Sequence, residues 1–273
     1  MSYAEYEQMS GIRWTHLKTM DVSPLAYLHA SESGDSGDTP SRGFLRAVHV
    51  GVLEAETFRD RYFGYDAVRN GKKWEAAKIL NEGKESLKSH EVETIRKIRA
   101  AVLRHPEASA LIAHTEGQSE VAIEWTDSRT GLRCKGLIDK LIRPNAFKAT
   151  VVDLKTVDSI EPSHIAKLCT RLKWHGQLAH YCDGVAATLG IVSAAYLVCV
   201  EQRAPHDVGV FLLHPDRALR AGRELRDRLL SKLRQCIVDD HFPGRLPMLE
   251  ELDLPDWAFD EPAITPSDEG ASQ

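Results

Sequence analysis

The chain has 273 residues and a net charge of −5, and its 42% hydrophobic and 27% charged residues are typical of a soluble globular protein with a core of ordinary size. No apolar run approaches the roughly 18 residues of a membrane-spanning helix, and the polar, acidic N-terminus does not resemble a secretory signal. The five cysteines are scattered in apolar surroundings without a CxxC pair, which favours reduced thiols in a cytoplasmic protein and argues against a disulfide framework, a zinc ribbon or an iron–sulfur cluster.

The N-terminal part of the chain is predicted to be helical. One helix covers residues 11–29 and is broken at Ser23-Pro24, and a polar loop rich in glycine, serine and aspartate follows at residues 31–41. A second helix, over residues 45–62, has the apolar spacing of an amphipathic helix and carries His49. We therefore expect this region to pack as helices against the rest of the domain.

A charged helical stretch follows the amphipathic helix. Residues 72–105 are predicted to form one or two helices, which Pro106 ends. Residues 69–104 hold ten bases against five acids. Such a surplus is compatible with a surface that binds nucleic acid, and a solvated helix face explains it equally well.

The centre of the chain is predicted to form a sheet. Short turns join the first three strand-like runs, so these runs are expected to form an antiparallel meander. A helix, two further strands and a long C-terminal helix come next. In chain order the seven elements are three strands at residues 120–125, 132–142 and 147–155, a helix at 162–189, strands at 194–200 and 208–213, and a helix at 216–238. The plan is α/β (α+β), with a central mixed sheet of about five strands flanked by helices and a helical N-terminal extension.

These elements predict one domain over residues 1–238, with a mainly helical part at 1–110 and a core at 111–238. Residues 239–273 are predicted to be an acidic, irregular tail. The tail carries ten acids and one base, a local charge of −9, so the preceding 238 residues sum to +4. A mildly basic body with an acidic tail is compatible with DNA binding, although a solvated surface and an irregular terminus would also explain it.

Two of the predicted strands contain an acid near their ends, at Asp139 and Asp153, and Lys155 follows two residues after the second acid. Because side chains alternate along a strand, Asp153 and Lys155 leave the same face and Leu154 points into the core. Carboxylates hold hard cations such as Mg²⁺ or Mn²⁺, and a lysine beside such a cation polarises the attacking water or neutralises charge on a phosphate. The pattern predicts metal-dependent hydrolysis of a phosphodiester.

The helix after the third strand carries Gln177 and Tyr181. Their spacing of four residues places both side chains on one face of the helix, one turn apart. We expect this face to converge on Asp139, Asp153 and Lys155, so that polar groups from three elements meet at one site.

This arrangement resembles the PD-(D/E)xK nuclease superfamily. Within it, the chain is most similar to the C-terminal nuclease domain of phage and prophage exonuclease VIII (RecE-type), a relative of the RecB-type nucleases. The similarity covers roughly residues 12–215. Its motifs read, in chain order, Ser23-Pro24-Leu-Ala-Tyr27, Arg46-Ala-Val-His49, Glu120, Gly136-Leu-Ile-Asp139, Val152-Asp153-Leu-Lys155 and His175-Gly-Gln177-Leu-Ala-His-Tyr181. The resemblance implies a restriction-endonuclease-like core.

The resemblance also implies roles for single residues. Asp139, Asp153 and the main-chain carbonyl of Leu154 would be metal ligands, and Lys155 would be the catalytic cation. His49 and Glu120 would complete or orient the metal shell, and Gln177 and Tyr181 would position the phosphate backbone or the acids. Two of these roles have alternatives. Glu124 points to the same face of the strand as Glu120, and a histidine packed in the core is an alternative reading of His49.

The activity implied by the resemblance is a Mg²⁺-dependent DNA exonuclease that acts on the ends of double-stranded DNA from 5′ to 3′, with Mn²⁺ as an alternative metal. The implied setting is phage-type recombination, with a single-strand annealing protein as partner and a homo-oligomeric enzyme. Two other classes stay open on the residues alone. One is a structure-specific or restriction-like endonuclease on the same core, and the other is a non-catalytic DNA-binding module.

Overall fold

The N-terminal part of the protein is built from short helices. The computed structural model describes residues 3–33, 40–191, 193–246 and 248–259. A 3₁₀ turn, Lys18–Asp21, lies between the second and third helices. The first four helices are α1 (Tyr3–Gln8), α2 (Trp14–Leu17), α3 (Pro24–Glu32) and α4 (Pro40–Leu53). Most of the predicted polar loop at residues 31–41 lies outside the described residues.

The break predicted at Ser23-Pro24 is the start of α3. Pro24 occupies the first turn, where its missing N–H costs nothing, and the Ser23 hydroxyl accepts a hydrogen bond from the Ala26 N–H at 3.0 Å. The capping serine therefore fixes where the polypeptide turns from the 3₁₀ segment into α3.

The helix predicted over residues 45–62 is wrong in its C-terminal part, because α4 ends at Leu53. The carbonyl of Glu54 accepts both the Thr57 N–H, at 2.9 Å, and the Thr57 hydroxyl, at 3.0 Å, and this local turn replaces the helical pattern. Only a short helix, α5 (Phe58–Arg61), follows.

A small parallel two-stranded sheet, which the sequence did not predict, follows α5. Its strands, β1 (Tyr62–Gly64) and β2 (Glu85–Leu87), are joined by α6 (Gly71–Leu80). The region continues with α7 (Ser89–Arg104) and α8 (Pro106–Ile112), so the predicted charged helical stretch is split by a strand.

The central sheet has five strands in the order of the chain. They are β3 (Gly117–Thr126), β4 (Arg133–Asn145), β5 (Lys148–Val157), β6 (Ser193–Glu201) and β7 (Val208–Leu212). The pairs β3–β4, β4–β5 and β6–β7 are antiparallel, whereas β5–β6 is parallel. The predicted meander and the predicted mixed sheet of about five strands are confirmed.

The helix predicted over residues 162–189 is two helices, α9 (Pro162–Arg171) and α10 (Trp174–Leu189). The break lies at Lys173, whose φ of 60° is in the left-handed region, and its carbonyl accepts the Gln177 N–H as α10 begins. The last long helix, α11 (Arg220–Val238), follows a π-helical turn at Pro215–Leu219.

The central sheet separates two hydrophobic cores. The first core packs α2, α9, α10 and α11 against one face of the sheet, with Val151 and Leu197 among its strand residues. The second core packs α4, α7 and α8 against the other face, with Val152 and Leu154. Neighbouring residues of β5 thus alternate between the two cores, as a strand covered on both faces requires.

Beyond α11 the described chain contains only one short 3₁₀ turn, Asp256–Ala258. The division into a domain at residues 1–238 and a tail at 239–273 stays a prediction, and residues 260–273 of that tail lie outside the described ranges. Among the described helices, none combines the length and the apolar character needed to cross a membrane.

Candidate active site

Strands β4 and β5 separate at the two predicted acids. The pairing of the two strands stops at Lys140 and Val152. The next pair in the same register would be Asp139 and Asp153, and these two residues are not paired. Here the Leu154 N–H donates to Oδ2 of Asp139 at 2.8 Å. A side-chain carboxylate has taken the place of a strand carbonyl, so both acids lie where the sheet opens.

Asp153 and Lys155 leave the same face of β5, as predicted from alternation. The Lys155 Nζ lies 2.6 Å from Oδ2 of Asp153, whose side chain is only 1% exposed. The Nζ also donates to Oε1 of Gln177 at 3.3 Å, and Nε2 of Gln177 donates to the Tyr181 hydroxyl at 3.0 Å. The side chain of Leu154 is buried in the second core. The structure therefore brings these predicted residues together in one continuous row of contacts.

His49 and Glu120 lie beside Asp139. One side-chain donor atom from each of the three residues falls within 4.8 Å of the other two, and Nδ1 of His49 is 3.5 Å from Oδ2 of Asp139. Glu120 has a φ of 51°, in the left-handed region that an ordinary residue seldom adopts. Glu124, the alternative on the same strand, is exposed and lies 3.4 Å from Arg133. The structure thus places Glu120, and not Glu124, at the cluster.

The acids of this cleft are poorly solvated and repel one another. Burial, then the charges of Asp139 and Glu54, raises the pKa of Glu120 to about 8. Burial and the Asp139 charge raise the pKa of Asp153 to about 6, although Lys155 pulls it down. Burial likewise raises the pKa of Asp139. A positive charge bound among these carboxyls would relieve both effects.

The donor set fits a hard divalent cation. Both carboxylate oxygens of Asp153 are buried, and the contact that they have among the described residues is the ion pair with Lys155, whose Nζ lies 2.6 Å from Oδ2. Burial, then the charge of Lys155, lowers the pKa of His49 to about 4, so its imidazole is neutral near pH 7 and can ligate. Carboxylate oxygens with one neutral imidazole are ligands that Mg²⁺ and Mn²⁺ accept.

Three residues at the cleft were missed by the sequence reasoning. The ring of Trp174 lies 5.7 Å from the Lys155 Nζ, and its position three residues before Gln177 on α10 was an available signal. Burial and the charges of Lys155 and Lys173 lower the pKa of Lys18, which places Lys18 near the cleft. Glu54 pairs with Arg61 at 2.9 Å and acts on Glu120. Lys18 lies on a distant segment, where no spacing marks it, whereas Glu54 follows His49 by five residues, directly after the end of α4.

His180, on the same helix as Gln177 and Tyr181, is a core residue. It is fully buried, its Nε2 lies 3.2 Å from the Lys135 carbonyl, and its ring centroid is 4.6 Å from that of Trp125. Burial, then repulsion from Arg226, lowers the pKa of His180 to about 3 from an ordinary value of 6.5. His180 packs between aromatic rings and belongs to the scaffold of α10.

This shifted pKa predicts a pH-dependent stability. Between pH 6.5 and about pH 3, His180 is protonated in the unfolded chain and neutral in the folded chain. Protonation therefore favours the unfolded state, and the stability of the protein falls as the pH falls. As the pH falls, we expect the free energy of unfolding of wild type to decrease by up to about 1.4 kcal/mol per pH unit more than that of His180→Gln. Glutamine is chosen because it keeps a donor for the Lys135 carbonyl. Urea unfolding of both proteins between pH 7 and pH 4.5 measures this difference. Parallel pH profiles would contradict the prediction.

The long helix α11 carries several arginines, and these are largely engaged within the protein. Arg226 is buried, with Asp127 at 2.6 Å and Asp183 at 3.3 Å, and Arg223 lies 2.8 Å from Asp183. These contacts tie α11 to α10 and to the β3–β4 turn. Arg226 is therefore a structural residue and not a phosphate contact.

Comparison with known proteins agrees with this architecture. A family model described as "PDDEXK-like domain of unknown function (DUF3799)" matches residues 14–252, a span that includes every candidate site residue. The crystal structure of a "putative exonuclease" from Eubacterium rectale aligns with a TM-score of 0.62 at 10% identity, over 93% of this chain and 95% of that one. A crystal structure of SSO0001 aligns with a TM-score of only 0.33 at 14% identity, over 85% and 87%, and carries no argument. No curated protein matches the sequence.

Proposed function

The chain belongs to the family of PDDEXK-like domains DUF3799, and from this membership and the geometry of the cleft we propose that it is a Mg²⁺-dependent DNA exonuclease of the RecE type. Membership of the PD-(D/E)xK superfamily and its fold, both predicted from the motifs, are confirmed. One observation carries the catalytic part of the proposal. The Lys155 ammonium is held against the buried, otherwise unsatisfied Asp153, beside the cluster of His49, Glu120 and Asp139.

The proposed metal ligands are the four side chains that line the opening between β4 and β5, with the Leu154 carbonyl as a further oxygen. A bound Mg²⁺ or Mn²⁺ would act as a Lewis acid on the scissile phosphate and lower the pKa of a water molecule. Three of the four side chains, those of His49, Glu120 and Asp139, form the cluster described above. The fourth, Asp153, is added because its buried carboxylate is close enough for the charges of Asp139 and His49 to act on it. Nucleases of the PD-(D/E)xK superfamily generally use divalent metals, and the identity of the metal in this protein is part of the proposal.

Lys155 supplies a fixed positive charge where negative charge builds up on the phosphate. Burial, which opposes its charge, is outweighed by Asp153 and Asp139, so the pKa of Lys155 is raised and it stays protonated. Oε1 of Gln177 accepts a hydrogen bond from the Lys155 Nζ, and Nε2 of Gln177 donates to the Tyr181 hydroxyl. These two hydrogen bonds fix the orientation of the Lys155 ammonium. The Trp174 ring covers one side of it and limits access of water.

Action on duplex ends from 5′ to 3′, in phage-type recombination with a single-strand annealing partner, is proposed from the motif order, which is similar to that of RecE-type nucleases. The structural neighbour from Eubacterium rectale is described as a "putative exonuclease", which agrees with action on ends and says nothing of polarity. The +4 charge of residues 1–238 suits a protein that binds DNA. We include a homo-oligomeric enzyme in the proposal.

Digestion of linear and closed-circular duplexes of one sequence tests the proposal. With Mg²⁺, we expect loss of the linear DNA only, release of a 5′ label before a 3′ label, and complete inhibition by a chelator. Cutting of the circle would move the assignment to an endonuclease, because an exonuclease needs an end. Binding of the linear DNA without cleavage in Mg²⁺ or Mn²⁺ would favour a non-catalytic DNA-binding module.

A further inference from the structure

A second concave site lies on the outer surface of the helices that cover the second core. It is a groove of about 320 Å³ between α4, α5 and α7, which we name the arginine groove. Its walls are apolar and aromatic, and three arginines complete the lining, which contains no acid among the described residues. The six side chains that define it are Phe58, Tyr62, Phe63, Arg59, Arg96 and Arg99.

The arginines of the groove are weakly engaged. Within the described parts of the chain, Arg59 and Arg99 form no ion pair, and Arg96 meets only Glu93 of its own helix, at 3.7 Å. The Nε of Arg99 is buried without a hydrogen-bond partner. A buried guanidinium N–H without an acceptor is costly, so the site is suited to an anionic ligand that also has apolar groups.

The groove is separate from the nuclease cleft. His49 faces the cleft, and Gly51, which lines the groove, follows two residues later on α4, about 200° around the helix axis. A Cβ at Gly51 would lie 2.3 Å from Cγ2 of Ile95, so α7 packs directly against this side of α4. A phosphate held at the metal cluster therefore lies on the other side of α4 from the groove.

The chain itself contains a segment of complementary chemistry, residues 246–259, which we name the acidic segment. No base follows Arg245 in the sequence, and residues 249–254 alternate leucines with acids as Leu-Glu-Glu-Leu-Asp-Leu. Its large apolar side chains are exposed, an unfavourable arrangement that indicates a binding role. They are Leu246, Met248, Leu249, Leu252, Leu254 and Phe259.

The acidic segment is not docked in the groove of its own chain. Pro243 is held at α3, on the side of the first core, where its carbonyl accepts the Leu25 N–H at 3.1 Å. The groove is lined by residues of the second core, on the opposite face of the sheet. The leucines of residues 249–254 are exposed, so none of them fills the groove of this chain. The start of the segment and the groove thus lie on opposite faces of one chain, which suits a contact between two copies.

We infer that the acidic segment docks in the arginine groove of a second copy of this chain. Leucines of residues 249–254 fill the apolar floor, and Glu250 and Glu251 pair with Arg59 and Arg96 at the rim. The contact joins two different surfaces, so it is a heterologous, head-to-tail contact between protomers. It specifies a contact for the homo-oligomer included in the proposed function, and because it uses no residue of the nuclease cleft, it is independent of the proposed nuclease activity.

Light scattering on full-length wild type and three variants tests this contact. Arg59→Glu/Arg96→Glu reverses the charge of the groove, and Glu250→Lys/Glu251→Lys reverses the charge of the segment. Arg143→Glu/Arg217→Glu is a control with the same change of charge as the groove variant, at exposed arginines elsewhere. We expect wild type and control to gain mass with concentration. Each of the first two variants should associate about tenfold more weakly or less, since attractive pairs become repulsive. All substituted residues are exposed, and circular dichroism melts check that the folds are unchanged.

Mixing the two variants distinguishes contact between copies from contact within one chain. The lysines of one variant face the glutamates of the other, and the unchanged surfaces also match, so association should return in the mixture and weaken with added salt. A wild type that is monomeric at every concentration would overturn the inference. So would association that survives reversal of the groove, or a mixture in which association does not return.

Discussion

Replacement of Lys155 by alanine is expected to lower the rate of DNA cleavage by about 10²–10³-fold, because the fixed charge that meets the developing charge on the phosphate is removed. The ammonium lies 2.6 Å from Asp153 and 3.3 Å from Gln177, and no other lysine or arginine among the described residues makes a contact with either side chain. Water can fill the space but carries no charge. Single-turnover cleavage of a 5′-labelled linear duplex at saturating Mg²⁺ measures the chemical step directly.

The stability of the same variant separates catalysis from folding. Without Lys155 the carboxylates of Asp139 and Asp153 lose the cation between them, so the metal-free variant should be less stable than wild type. Its stabilisation by Mg²⁺ should be retained or increased, since the ligands remain. Lys97→Ala, at an exposed position of α7, is the matched control and should cleave at the wild-type rate. A loss of activity below tenfold would rule out Lys155 as the catalytic cation.

Much of the fold was predictable because it rests on local patterns. The alternation of β3 to β5, the short turns between them and the apolar spacing of α11 are each encoded over a few residues. The elements that were mispredicted depend on single hydrogen bonds or backbone angles. Helix α4 ends at a Thr57 turn, and α9 and α10 are divided by the left-handed Lys173, and neither leaves a periodic signal.

The candidate site divides in the same way. Asp153, Lys155, Gln177 and Tyr181 share one strand and one helix, so their spacing alone indicated that they would meet. Glu120 was ambiguous because the choice against Glu124 depends on a φ of 51° that breaks the regular strand geometry. Spacing along the chain gives no information about such a departure from the regular strand.

The second large effect is expected at Asp153. Its two carboxylate oxygens are buried, lack hydrogen bonds within the described structure, and face the charge of Asp139. The Lys155 ammonium offsets only part of the cost of burying this charge in the metal-free protein, since the pKa of Asp153 stays raised, and a bound cation would offset the rest. The amide of Asp153→Asn has nearly the same shape without the charge, and Lys155 keeps Gln177 as a hydrogen-bond partner.

Asp153→Asn is therefore expected to inactivate the nuclease and yet to stabilise the metal-free protein, by about 1–3 kcal/mol. Thermal melts with and without Mg²⁺ test both parts. Wild type should gain stability with Mg²⁺, by about 2.7 kcal/mol at a hundredfold excess over its dissociation constant, and the variant should gain almost none. Asp60→Asn, at an exposed position of α5, controls for the loss of one charge and should behave as wild type. A residue kept for metal binding is expected to lower the stability of the protein when the metal is absent. If metal-free Asp153→Asn is instead less stable than metal-free wild type, Asp153 is a structural ion-pair partner of Lys155.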